Sequence, residues 1–341
     1  MVLLINSINN DNVLNSYNFA RKSDVVYSEV VSKNQFQDLD NTNTTIISED
    51  SQSIFYKKNK FTLKENDVIF CNSFTIAPLF EELNKIQDLN NLKLITHQSD
   101  RLISKNIYRK KPRCISEWYS INVDNNVKNI QPIPIGLSND YFDKTLDQSN
   151  YLSQKKIEFN NKENKIYVNF EVNTNFNERY KLIKLFENKP WAYVEKEKLT
   201  LEEYVASLNR YKFVLCPWGN GIDTHRLWEV LYAGSVPVTK KHNTYAYSRE
   251  LPILQIDSFK KLSFKNLDDF EFKNYNEKLL TSSYWFKRIN MKTVKNNQKV
   301  LIVESITKQT DTINEYNKML ANIRRIKKFR TFERKVKKRI F

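Results

Sequence analysis

Three of the chain's four glycines, one of its three histidines and an Arg–Glu pair at helical spacing fall together in one run, Phe213 to Val238 (FVLCPWGNGIDTHRLWEVLYAGSVPV). An apolar strand ends at Cys216, Pro217 stops the ladder, and Gly219, Asn220 and Gly221 form a loop with little side-chain bulk. The spacing predicts a helix from Thr224 to Ala233, with Asp223 as its cap and Gly234 in the C′ position. Strand, glycine loop and helix start make an anion site, because the free N–H groups of the first turn and the helix dipole both favour negative charge. Arg226 in that turn adds a forked donor matched to phosphate oxygens. Glu229, three residues on, projects from the same side and can accept from the two hydroxyls of a ribose. His225 can donate to a phosphate oxygen or stabilise a departing diphosphate. Together these residues suit a nucleoside diphosphate. The plainer alternative is a structural strand–turn–helix in which Arg226 and Glu229 pair with each other.

The run resembles the donor-site signature of glycosyltransferases with two Rossmann-like domains (the GT-B fold), in particular the exostosin-like group. The matching positions are Phe213 to Cys216, Pro217, Gly219, Thr224, Arg226, Glu229 and Gly234-Ser-Val-Pro-Val238. Gly219 to Glu229 also looks like a bacterial and viral subgroup of such enzymes; Val230 departs from the Ala usual there. Weaker similarities lie at Cys114–Trp118, Ile133–Gly136 and Tyr167–Phe170, with Thr174 and Arg179. The resemblance implies that Arg226 contacts the donor diphosphate and Glu229 the ribose, and that transfer inverts the anomeric carbon. It covers about a tenth of the chain.

The elements that must hold these residues read as strands alternating with helices, which predicts an α/β fold with parallel sheets. Asp67–Cys71 is a short apolar strand, and Ser73 or Thr75 is placed to cap a helix carrying Leu79, Phe80, Leu83 and Ile86. Asn91–Thr96 is the next strand. Pro132 and Pro134 confine their segment to an edge strand or loop. In the second half, Lys165–Phe170 and Lys212–Cys216 read as strands, Glu178–Glu187 as a helix, and Thr200 with Glu203 as a capping box. The expected organisation is an N-terminal acceptor-side domain (1–150), a polar linker (151–164) and a C-terminal nucleotide-sugar-binding domain (165–275). Helices packing back across both (276–322) and a basic amphipathic tail (323–341) complete it.

Ligands of open α/β sheets bind beyond the carboxyl ends of the strands. Arg179, after the strand ending at Phe170, is placed there as a second cation on the diphosphate, or as an ordinary solvated arginine. His97 and Asp100 follow the strand Asn91–Thr96 and would face the cleft from the other domain. Either Asp100, or His97 oriented by Asp100, is a candidate base for an acceptor hydroxyl. Asp38-Leu-Asp40 has the spelling of a metal-binding pair but lies in a polar stretch, so no metal is expected; nor is a cofactor, the nucleotide-sugar being a substrate.

The formal charge of the 341 residues is +16, which suggests an acidic partner. Ten Lys or Arg against one Glu lie between Arg324 and Phe341, interleaved with Ile323, Ile326, Phe329, Phe332, Val336 and Ile340. That pattern predicts a basic amphipathic helix suited to an anionic membrane surface. The basic cluster Lys105, Arg109, Lys110, Lys111 and Arg113 can add to the same surface. Cys71, Cys114 and Cys216 are scattered and odd in number, which excludes a disulfide framework and fits a reducing compartment. The apolar run Met1–Ile5 is too short for a signal peptide or a span, so the expectation is a cytoplasmic protein, peripheral on the inner face of a membrane where the tail binds. The functional expectation is transfer of a sugar from a nucleotide-diphosphate donor to a glycan or lipid-linked acceptor. A nucleotide-sugar epimerase on the same scaffold, or a nucleic-acid-binding protein acting through the tail, are the alternatives; no nucleic-acid module is present.

Overall fold

The computed structural model describes residues 8–9, 11–139, 151, 156–273, 275–290, 300–305, 310–322 and 325. They build a mixed α/β fold with three sheets. The strands of the first half are β1 (Val25–Ser32), β2 (Thr44–Glu49), β3 (Ser53–Lys58), β4 (Lys60–Lys64), β5 (Val68–Asn72), β6 (Leu92–His97), β7 (Ile115–Ser120) and β8 (Gln131–Pro132). All but β4 form one sheet in the order β2-β3-β1-β5-β6-β7-β8. From β1 to β8 the neighbours are parallel, while β2 and β3 add an antiparallel edge. Every residue of β5 and β6 is buried, as expected of continuous apolar strands covered on both faces. Pro132 ends the sheet at its edge, where a missing N–H leaves no ladder bond unmade.

Helices α1 (Ser16–Lys22), α2 (Lys33–Asp38), α3 (Ile76–Leu83) and α4 (Lys105–Tyr108) accompany these strands. Leu79, Phe80 and Leu83 are buried on α3 as their spacing predicts. The expected cap is corrected. Ser73 donates its hydroxyl to the His97 carbonyl and Thr75 donates to the Asn72 carbonyl, so the Asn72 side chain takes the first free N–H, that of Phe74.

The second sheet contains β9 (Glu163–Val168), β10 (Ala192–Val194), β11 (Tyr211–Leu215), β12 (Val236–Lys240) and β13 (Leu254–Ile256). All neighbours are parallel, in the order β10-β9-β11-β12-β13. Helices α5 (Phe176–Phe186), α6 (Leu201–Arg210), α7 (His225–Tyr232) and α8 (Phe264–Asp268) connect and cover it. Thr200 and Glu203 form the expected capping box at α6. Gly234, at φ +70, ends α7: its N–H donates to Leu231 O and that of Ser235 to Val230 O, the paired bonds of a Schellman stop. Strand order reverses between β9 and β11, and open α/β sheets bind ligands beyond the carboxyl ends of strands at such a point.

One apolar cluster runs through both halves, from Phe70, Ile95 and Tyr119 to Val214, Leu227, Trp228 and Leu231. Alternate residues of the same strands fill separate cores behind each sheet: Ile69 and Leu94 in one, Ile166, Phe213 and Val236 in the other. The chain then returns to the first half. Ser282 N–H of α9 (Ser282–Asn290) donates to Asn12 O, and β14 (Val300–Glu304) pairs antiparallel with β4. Helix α10 (residues 310–322) sets Tyr316 against Phe55 and Phe74, at ring separations of 5.3 and 6.1 Å. Among the described residues no helix is long and apolar enough to cross a membrane. The amphipathic helix expected from 323 onward lies outside the described residues apart from Arg325, as do 140–150 and 152–155 around the expected linker.

Candidate active site

The carboxyl ends of β9 and β11 carry a compact polar cluster. Arg226, one residue into α7, lays its guanidinium over the Tyr204 ring of α6, 5.1 Å from the centroid. Tyr204 donates its hydroxyl to Glu229 Oε2 at 2.6 Å. Among the described residues Arg226 and Glu229 form no ion pair, so the structural pairing that their spacing allowed is not made. Burial by itself would lower the pKa of Arg226, but Tyr204 and Glu229 beside it raise it, and the guanidinium is a fixed cation. Its Nη1 is buried without a hydrogen-bond partner. Thr174 Oγ1 is likewise buried and unpartnered, and it lies 3.7 Å from where a side chain on Gly219 would begin. Thr224 opens α7 without a side-chain capping bond. Buried donors in native proteins are almost always paired, so unpaired ones gathered at a helix start mark a place for an acceptor-rich ligand.

Arg179 lies beside this cluster with a different task. Its Nε, Nη1 and Nη2 donate to the carbonyls of Trp218, Glu171 and Pro217 at 3.1, 2.7 and 3.0 Å. It therefore braces the turn that leads into the glycine loop. Burial and the charge of Arg226 push its pKa down to about 10, so two cations stand close together. That repulsion is relieved by an anion between or beside them.

The glycine loop itself faces the other half of the molecule. Gly219 N–H donates to Gly221 O at 2.9 Å, closing a tight turn. A Cβ on Gly221 would stand 3.0 Å from both Asp100 Oδ1 and Asn122 Nδ2, so glycine here permits close approach between the halves. The Asn122 Oδ1 accepts from the N–H groups of Ile222 and Asp223, both at 2.9 Å, and its Nδ2 donates to Ser99 O. These loop amides are thus already occupied. Beside them stand the side chains of Arg226, Thr224 and Thr174.

Asp223 does not cap α7. Its buried carboxylate accepts from Ile135 N–H (2.9 Å), Trp228 Nε1–H (3.1 Å) and the Tyr247 hydroxyl (3.4 Å). Thr224 takes the cap position because Asp223 points inward, tying the second half to the first. Burial raises the Asp223 pKa to about 7 against these donors. His225 points the same way, its Nδ1 donating to Gly136 O at 2.8 Å, rather than toward the Arg226 cluster.

On the facing half, His97 and Asp100 separate. His97 is 1% exposed, packed against Phe19 and Phe70. Its Nδ1 accepts from Gln98 N–H and its Nε2 donates to Pro134 O. Burial lowers its pKa to about 3. With both nitrogens engaged and no exposure, His97 cannot serve as the acceptor's base, and that assignment is corrected. Asp100 is exposed and shares a 760 Å³ groove with Asn220 of the glycine loop. Asp40 accepts from Thr42 within its own turn, and among the described residues no group of three or more His, Cys, Asp or Glu gathers as a metal site would. Sequence reading missed Asn122, which holds the glycine loop, and Tyr204, which lies between Arg226 and Glu229. Asn122 carried a usable signal, since it follows the carboxyl end of a strand neighbouring the one that ends before Asp100.

The family model of the RXYLT1 C-terminal domain matches residues 150–263, about a third of the chain, and the match suggests a glycosyltransferase. The matched region contains β9, β11, the glycine loop, Arg226 and Glu229. No curated protein matches the chain.

Proposed function

We propose that the protein transfers a sugar from a nucleoside-diphosphate sugar to an acceptor hydroxyl, with its two halves acting as the Rossmann-like domains of a GT-B enzyme. The observation that carries this reading is the buried, unpartnered Nη1 of Arg226 beside a second guanidinium at the start of α7. A donor diphosphate supplies the missing acceptors there, and the ribose hydroxyls donate to Glu229. Thr224 and Thr174 complete the phosphate contacts, with Arg179 holding the turn in place. The reading assigns the charge on the departing diphosphate to Arg226 and the α7 dipole rather than to a metal.

Asp100 is the base in this reading. It takes the acceptor O–H proton as that oxygen bonds to the anomeric carbon. The bond from that carbon to the diphosphate oxygen breaks, and its electron pair leaves with the nucleoside diphosphate. Attack opposite the leaving group inverts the centre. The basic run Arg324–Phe341 is assigned to an anionic membrane surface on the cytoplasmic side.

Calorimetry with UDP and GDP tests the donor half. Wild type is expected to bind one of them, and Arg226→Ala to lose about ten- to a hundredfold in affinity, the scale of one charge-assisted bond to phosphate. Absence of binding, or binding unaffected by the substitution while the melting temperature is unchanged, overturns the reading.

A further inference from the structure

A groove next to the glycine loop is lined by both polar and apolar side chains. Asp100, Arg101 and Asn220 line it, and Ile47, Phe74, Ala77, Pro78, Tyr316 and Met319 supply apolar walls. Thr75, Glu315, Lys318 and Asn322 add polar groups along them. Helix α10 contributes one wall and α3 the other. At 760 Å³ the groove is the size of sites that enclose a small molecule. Thr312, 5% exposed, also lines it, and its Oγ1 is buried without a hydrogen-bond partner. A free oligosaccharide carries a hydroxyl at nearly every carbon and needs a matching set of donors and acceptors. These walls offer some, but most of the surface they present is apolar. Directly after α10 the sequence becomes strongly basic, with ten Lys or Arg between Arg324 and Phe341.

We propose that this groove is the acceptor site and that it takes an amphiphilic, lipid-linked acceptor. The apolar chain lies between α3 and α10, and the hydroxyl to be glycosylated reaches Asp100 beside the glycine loop. The unpaired Thr312 hydroxyl meets a polar atom near the junction of head group and chain. The basic composition of the sequence that follows α10 suits the anionic surface from which such a molecule comes. This inference rests on the transferase reading above and narrows its acceptor.

The test uses the full chain with methyl β-glucoside and octyl β-glucoside below its micellar concentration, each titrated by calorimetry in the presence of UDP or GDP. Octyl glucoside is expected to bind at least tenfold more tightly than methyl glucoside. Ala77→Glu, at an exposed position of α3, and Met319→Glu, half-buried on α10, each place a charge in the groove. Both are expected to abolish the chain-length dependence and leave nucleotide affinity unchanged. Equal binding of the two glucosides, or octyl binding untouched by either substitution, overturns the lipid-linked acceptor alone. Failure of nucleotide binding in wild type instead removes the transferase reading on which it stands.

Discussion

At the scale of single residues, the junction depends on an asparagine whose one signal in sequence is its place just beyond a strand's carboxyl end. Asn122 is fully buried in the left-handed region at φ 52, which asparagine adopts more readily than most residues. Its one carboxamide holds two loop amides of the second half and the Ser99 carbonyl next to Asp100. In the proposed reaction it is a positioning residue that fixes the base relative to the donor loop. Asn122→Ala leaves the buried Asp223 N–H and the part-buried Ile222 N–H without their acceptor, at a total cost of about 1–3 kcal/mol after relaxation. Denaturant unfolding is expected to show a loss within that range. Turnover with a competent donor and acceptor is expected to fall at least tenfold, with KM for the donor changing less, because the diphosphate contacts lie on Arg226. A loss of stability without the split between kcat and KM would reduce Asn122 to a structural tie. The contrast with His97 is instructive. Both follow a strand end, and sequence alone favoured the histidine for its chemistry. Phe19 and Phe70 close around His97 from distant parts of the chain, and nothing near His97 in sequence announces them.

At the scale of elements, the apolar parallel strands β5, β6, β9 and β11 were legible, while the strands from β1 to β4 and the parallel β7, β10 and β13 were not. The strands β5, β6, β9 and β11 are apolar runs bounded by turns or capped helices, and periodicity finds such strands. The strands β1 to β4 interleave Ser, Thr, Lys and Glu with their apolar residues. Some of those polar side chains are buried after all: Glu29 is held by Arg21 and Tyr56, and Lys57 by Ser305 and Glu82. Partners so far apart in sequence leave no local mark, so nothing in the sequence announces these strands. Gly136 shows the same dependence on remote chain. It sits at φ +70, and a Cβ there would stand 2.2 Å from the Leu14 carbonyl oxygen. That approach lets Leu137 N–H donate to Leu14 O at 2.7 Å and presents Gly136 O to His225. Backbone cannot yield as a flexible side chain can, so Gly136→Ala is expected to destabilise by more than about 3 kcal/mol. The check is chemical denaturation alongside Thr200→Ala, an exposed capping-box substitution expected to cost only about 1 kcal/mol. Similar losses for the two would mean that the segments can part without harm.

At the scale of the whole molecule, the two halves meet through a carboxyl group whose ionisation is coupled to folding. Asp223 belongs to the second half, and one of its donors, Ile135 N–H, belongs to the first. Burial lifts its pKa from 3.8 to about 7, so the folded protein holds this proton where the unfolded chain has released it. Between roughly pH 4 and pH 7 the native state therefore binds more protons than the unfolded state at this site, and stability from this group falls as pH rises. Above the folded pKa both states are ionised and the contribution becomes flat. Other buried carboxyls, Glu29 and Glu82, are raised by burial too and act in the same direction, so the wild-type profile alone does not isolate Asp223. Asp223→Asn does, since asparagine keeps an acceptor oxygen for Ile135 and does not titrate. The difference in melting temperature, wild type minus Asp223→Asn, is expected to be largest near pH 4, to shrink steadily towards pH 7 and to level off beyond it. A difference that is constant from pH 4 to 8 would mean that the three donors hold the carboxylate ionised throughout, with the halves joined by a fixed charge.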